Sequence, residues 1–212
     1  MHYKLMSYVH VTDQLAEILY KSTDMSLNNI ILSFPEYAKD IKLNYSKIIN
    51  ENILEEKQLF SIILIASMAT RSEKLLQEAL NESKIILSKE IIQDVYGAYS
   101  VMSMNVIYYR FTHLSNQNDY IKLPANLRMQ YFTKYSLDTV SFEMICLAVA
   151  IIEGCGKCIN AHEEVLKKSN VANIKIQAVA RIVAIIVAMA NVLRVKEWVI
   201  IQLWAFYYSL RL

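Results

Sequence analysis

Glycine and proline are nearly absent: a chain of 212 residues holds three of the first and two of the second. Together with the many Leu, Ile, Ala and Lys residues, this predicts an all-α fold of long helices around a large core. Two of the three glycines, Gly154 and Gly156, flank Cys155. Their position predicts a break between two helices, where a positive φ or a close backbone approach is needed. The stretch from Glu143 to His162 therefore reads as helix, turn, helix, with Cys155 and Cys158 on the first turn of the second helix.

The length of 212 residues suggests one domain, or one domain with decorations, and apolar residues make up 55% of the chain against 20% charged. The net charge of +2, without a Lys/Arg run interleaved with aromatics, gives no electrostatic case for binding nucleic acid. The three cysteines are Cys146, Cys155 and Cys158. An odd count with one tight C-x-x-C is not a secreted disulfide framework; it fits a reducing, cytoplasmic setting with one redox or metal pair. Cys146, set among Met144, Ile145, Leu147 and Ala148, reads as a small buried hydrophobe. The N-terminus lacks the apolar region of a secretory signal. The most membrane-like run, Ile182 to Ala190, falls far short of the roughly 20 residues a span needs and follows Arg181, so a buried helix and no membrane span are expected.

Along the chain, helices are expected to start after Ser26 and after Pro35, the latter with an apolar stripe of Tyr37, Ile41, Tyr45 and Ile48. Further helices are predicted over 55–70, 73–82 and 89–113, where Gly97 and Ala98 permit a close neighbour. Residues 115–138 read as a polar connector with one short helix at 125–132. Helices over about 139–153, 155–168 and 172–195 follow. Residues 58–111 and 142–195 run through the same order of helices at nearly the same lengths, which predicts a duplicated three-helix unit with reactive residues in the second copy only. The aromatic, apolar tail 196–212 is unlike a solvated tail; it packs on the domain, covers a subunit interface or exposes an associating patch.

The spacing i, i+3 brings the sulfurs of Cys155 and Cys158 to one helix face, within reach of a disulfide. The free N–H groups of a helix start favour a thiolate. This matters because a thiol of pKa ~8.5 is only about 3% ionised at pH 7. His162 lies one turn past Cys158 on the same face and can take its proton. Glu143 sits on the preceding helix, and antiparallel packing around the glycines would run it back alongside His162. A Glu143–His162–Cys158 relay follows. Zinc is the rival: C-x₂-C-x₃-H supplies three ligands, with Glu143 or Glu163 as a fourth, but no second knuckle is present. A c-type haem site would need His directly after the second Cys, where the chain has Ile159.

The pattern E-x₁₁-C-x-x-C-x₃-H, here Glu143, Cys155, Cys158 and His162, resembles the active-site signature of the alkylhydroperoxidase D (AhpD) family within the carboxymuconolactone decarboxylase-like superfamily. Phe142–Ala150, Ala161–Glu164, Phe34–Asn44 and Met102–Arg110 extend the resemblance over about residues 26–195. The resemblance implies an all-α bundle of two related three-helix repeats, assembled as a homotrimer. It implies a thiol-dependent peroxidase with no tightly bound cofactor. Electrons would come from dihydrolipoamide on a lipoyl-bearing dehydrogenase-complex subunit, and a partner peroxiredoxin would be a further client. By position, Cys158 resembles the peroxidatic cysteine, Cys155 the resolving cysteine, and Glu143 and His162 the proton relay. Family members carry His just before the second Cys, where this chain has Lys157. A cation there can favour the thiolate but cannot shuttle protons at pH 7.

Residues 1–25 and 196–212 fall outside the resemblance, which makes Met25 a candidate start or the first segment a lineage-specific extension. Three other readings compete with the peroxidase: a dithiol electron-transfer adaptor that meets peroxide only incidentally, a zinc-stabilised helical module, and a lactone decarboxylase. The last has no need of the cysteine pair.

Overall fold

The computed structural model describes residues 26–116 and 119–209; the expected extension over 1–25 lies outside them. The described residues form helices and no strand. In order these are α1 (Leu27–Leu32), a 3-10 turn (Glu36–Ala38) leading into α2 (Lys39–Asn50), α3 (Glu56–Ala69), α4 (Glu73–Ile86) and α5 (Lys89–Leu114). A short α6 (Asp119–Lys122) and a 3-10 turn (Gln130–Thr133) follow, then α7 (Thr139–Ile152), α8 (Gly156–Lys168) and α9 (Asn173–Ser209). The all-α expectation holds.

Local sequence sets the helix starts. Ser26, Ser72, Ser88 and Asp138 each accept a backbone N–H of the first turn of α1, α4, α5 and α7. Each satisfies a donor that a helix start leaves unpaired. Glu55 and Gln58 close a capping box at α3.

The two most apolar helices, α3 and α7, pack on each other at the centre, and α9 lies across both. Their buried residues run almost all the way round, from Ile62 to Ala66 in α3 and from Met144 to Ala150 in α7, as expected for helices with no solvent face. Gln58 Nε2 donates to Ser141 Oγ at 3.3 Å across this contact. The helices α3–α4–α5 and α7–α8–α9 repeat one order, and α4 packs on α3 as α8 packs on α7. The turns after α3 and α7 each hold a left-handed residue, Arg71 (φ 59°) and Gly154 (φ 66°).

Four local expectations are corrected. Tyr37 falls in the 3-10 turn ahead of α2 and is exposed, so the buried stripe keeps only Tyr45 and Ile48. No α-helix forms at 125–132, where Asn126 has a φ of 52° that a right-handed helix does not allow; only the 3-10 turn Gln130–Thr133 overlaps the expected range. The last helix does not end at 195: α9 runs unbroken to Ser209, with neither Gly nor Pro over 196–209 to stop it. The segment Asn173–Val199 is long and apolar enough to cross a membrane by length and composition, unlike the short run read from Ile182 to Ala190. Ile182, Val183, Ile186 and Met189 of this segment are buried in the core.

Gly97 permits the expected close approach. A side chain there would collide with the ring of Tyr131. The Tyr131 hydroxyl donates to Asp94 Oδ1 at 3.1 Å, and Asp94 Oδ2 accepts the N–H groups of Ser136 and Leu137 at 2.7 and 2.8 Å. Asp94 is buried, so this carboxylate fastens the connector onto α5.

Glu82 illustrates a carboxylate held against its preference. Burial pushes its pKa up, more strongly than the hydrogen bond accepted from the Leu27 N–H at 2.8 Å draws it down, and the Glu78 carboxylate adds to the rise. A raised folded-state pKa stabilises the protein only below the unfolded value and is lost as pH rises. Glu82→Gln keeps the acceptor and removes the charge. It is expected to raise Tm at pH 7 by about 1–3 °C, with the gain vanishing below about pH 4. Thermal melts at both pH values check this; a lower Tm at pH 7 contradicts it.

Candidate active site

The site is built on the turn between α7 and α8. Gly154 adopts φ 66°, which L residues rarely take, and lets the chain close α7 with two reversed hydrogen bonds. Its N–H donates to Ile151 O at 3.1 Å and the Cys155 N–H to Ala150 O at 3.0 Å. Arg110 Nη1 of α5 donates to Glu153 O at 2.5 Å and pins the same corner.

Cys155 is thereby the last residue of one helix closure and the cap of the next. Its Sγ accepts the Cys158 N–H at 3.3 Å. The sequence placed both cysteines in the first turn of α8; the structure makes Cys155 the cap, because Gly154 has already closed α7. The sulfurs of Cys155 and Cys158 are joined as a disulfide across a Cα–Cα distance of 5.3 Å.

One turn on from Cys158, His162 is buried on the same face, and its Nδ1 lies 2.7 Å from Glu143 Oε2. A carboxylate only accepts, so Nδ1 is the donor of this contact, and the neutral form of such a ring has its lone pair on Nε2. All four residues expected at the site are brought together, and the antiparallel return of α8 along α7 does so as the spacing predicted. Among the described residues no three His, Cys, Asp or Glu side chains form a set that could hold a metal ion.

A cleft of about 370 Å³ opens on this corner. It is lined by Met102, Asn105 and Tyr109 of α5, Met129 and Phe132 of the connector, and Lys157, Cys158, Ala161 and His162 of α8. Lys157 Nζ sits 5.1 Å from the centroid of the Tyr109 ring, a cation–π distance. Cys158 lines the cleft, whereas Cys155 is fully buried beneath the turn.

Sequence reading assigned no role to Met102, Asn105, Tyr109, Met129 or Phe132. The first three lie in Met102–Arg110, a stretch that carried the resemblance without suggesting a task. Met129 and Phe132 carry no signal, since long-range contacts, the Asp94 anchor among them, fold the connector over the cleft. Phe132 and Tyr135 then pack on Phe142, with ring centroids 5.5 and 3.8 Å away.

Cys146 lies one turn along α7 from Glu143 and is buried. Burial pushes its thiol pKa well up, and the neighbouring Glu143 carboxylate adds to the shift. A thiol kept protonated is inert. The oxidised protein is therefore expected to show no titratable thiol until denaturant is added, and then one per chain. A rapid reaction with Ellman's reagent in native buffer would contradict this.

Comparison with known protein sequences gives the class to which this chain belongs. The carboxymuconolactone decarboxylase family profile matches residues 118–200. Alkyl hydroperoxide reductase AhpD of Solibacter usitatus is 38% identical over 172 residues, 81% of this chain and 97% of that protein. The AhpD of Acidobacterium capsulatum is 38% identical over 174 residues, 82% of this chain and 95% of its own length. That of Brucella suis is 36% identical over 173 residues, 82% and 99% of the two chains. The chain belongs to the AhpD family within the carboxymuconolactone decarboxylase superfamily.

Proposed function

We propose that this protein is an antioxidant oxidoreductase that reduces organic hydroperoxides through the Cys155–Cys158 dithiol. The observation that carries the reading is the 2.7 Å Glu143–His162 contact set beside a cysteine pair whose outer member opens on an apolar cleft. The names of the relatives, alkyl hydroperoxide reductases, support it.

In the reduced protein His162 Nε2 takes the Cys158 proton, and Glu143 holds the ring in the tautomer that allows it. The Cys158 thiolate attacks the terminal oxygen of the hydroperoxide. An S–O bond forms, the O–O bond breaks, and the alkoxide leaves as alcohol with the proton from His162. Cys158 becomes a sulfenic acid. The Cys155 sulfur then attacks that sulfur, an S–S bond forms, and the oxygen departs as water. A dithiol returns two electrons and two protons to the disulfide.

Dihydrolipoamide on a lipoyl-bearing subunit is the proposed donor, since its vicinal thiols close to a ring as they reduce a disulfide. A partner peroxiredoxin disulfide is the proposed alternative client of the same dithiol. Assembly as a homotrimer and a cytoplasmic location complete the proposal.

The test is peroxide consumption by purified protein supplied with dihydrolipoamide and cumene hydroperoxide. One alcohol is expected for each lipoamide formed. Absence of turnover by the wild type, with or without an added peroxiredoxin, overturns the reading. Turnover only with the peroxiredoxin moves it to the adaptor.

A further inference from the structure

The chemistry above leaves one buried polar group at the site without a role. Asn105 of α5 is 4% exposed, its Oδ1 has no hydrogen-bond partner, and it lines the cleft shared by Cys158 and His162. An acceptor left unmatched in a buried wall costs about 1–3 kcal/mol. Ser61 Oγ and Ser83 Oγ are also buried without partners, but neither lines this cleft. Of the three residues that carry these atoms, Asn105 alone lines the cleft with Cys158.

The cleft offers few polar groups. Met102, Met129, Phe132 and Ala161 are apolar, Lys157 is a donor only, the Tyr109 hydroxyl both donates and accepts, and the His162 ring serves the cysteine proton, which leaves Asn105 Oδ1 as the buried acceptor without a partner among them. A hydroperoxide has one donor, the O–H on its terminal oxygen, and that is the oxygen a thiolate attacks. We propose that Asn105 Oδ1 accepts this O–H and holds the terminal oxygen over Cys158, so that the site selects peroxides with a free O–H and an apolar remainder.

This proposal rests on the peroxidase reading and adds a substrate-contacting residue to it. The balance of the step is unchanged. Sulfur gives up two electrons, the O–O bond takes them, and the leaving alkoxide receives the His162 proton. Asn105 gains and loses no proton. The O–H it holds in the peroxide is the same O–H that the Cys158 sulfenic acid carries afterwards, so one hydrogen bond spans reactant and product.

The test separates the half-reactions. Asn105→Leu, close to Asn in size, removes the acceptor; Asn105→Ala serves as a second variant, and thermal melting reports folding for both. In rapid mixing of reduced protein with cumene hydroperoxide, the second-order rate constant is expected to fall by about 10- to 100-fold. Alkylation of Cys158 by iodoacetamide, which reads the thiolate, is expected to stay within about twofold of wild type, as is reduction of the disulfide by dihydrolipoamide. An unchanged peroxide rate in a folded variant overturns the assignment. So does a parallel loss of peroxide and alkylation rates, which would make Asn105 a support of the cysteine. If the wild type itself does not react with peroxide, the peroxidase reading falls together with this proposal; if it reacts and the variants match it, only this proposal falls.

Discussion

Cys158→Ser is expected to lower peroxide turnover by at least about 10³-fold, because a serine hydroxyl is not ionised near neutrality and its oxygen cannot cycle through a sulfenic acid. Cys155→Ser is expected to behave differently. Cys158 would still meet the first equivalent of peroxide, and the sulfenic acid would persist long enough to be trapped by dimedone and seen by mass spectrometry. The assignment of roles comes from position. Cys158 lines the cleft, while Cys155 is fully buried as the cap of α8. A dimedone adduct on Cys155 in the Cys158→Ser protein, together with retained peroxide consumption, would reverse the roles.

The second large effect concerns the relay. His162→Ala is expected to lower the peroxide rate at pH 7 by about 10²- to 10⁴-fold, the usual range for a lost general base. The loss should shrink as pH rises toward about 8.5, where an unassisted thiol ionises by itself. Glu143→Gln keeps the volume but offers an amide N–H to His162 Nδ1, which turns the ring to the tautomer with Nε2 already protonated. A loss of about 10²-fold or more is expected from that reversal. A His162→Ala protein that matches the wild type at pH 7, with an unchanged melting temperature, would remove the relay from the mechanism. Comparing Lys157→Ala with Lys157→His in the same assay measures what a cation gives in place of a proton-shuttling ring.

The relation of sequence to site differs from residue to residue. Cys155, Cys158 and His162 follow one another at the cap and the first two turns of α8, so their proximity is a matter of local spacing. Glu143 is harder: its distance from His162 depends on how α7 and α8 pack, yet Gly154 determines that packing, and its role was legible because glycine is so scarce here. Asn105 and Tyr109 reach the site from another repeat, and Met129 and Phe132 from a connector with no regular pattern. Nothing local marks Asp94 as the residue that fastens that connector, since a buried carboxylate accepting two backbone N–H groups looks like any surface aspartate in sequence. The last helix was expected to end at 195, yet it runs on to Ser209, because nothing over 196–209 gives the backbone a cause to break.

What the sequence determined by itself was the helical class, the caps that begin the helices, and the reactive corner, because each rests on interactions within a few residues. Only the tertiary structure decided which sulfur faces a cleft, what walls that cleft, and that an amide oxygen waits unpaired beside it. Those depend on α5 and the connector packing against α8, contacts made by residues far apart along the chain, and short-range periodicity carries no information about them.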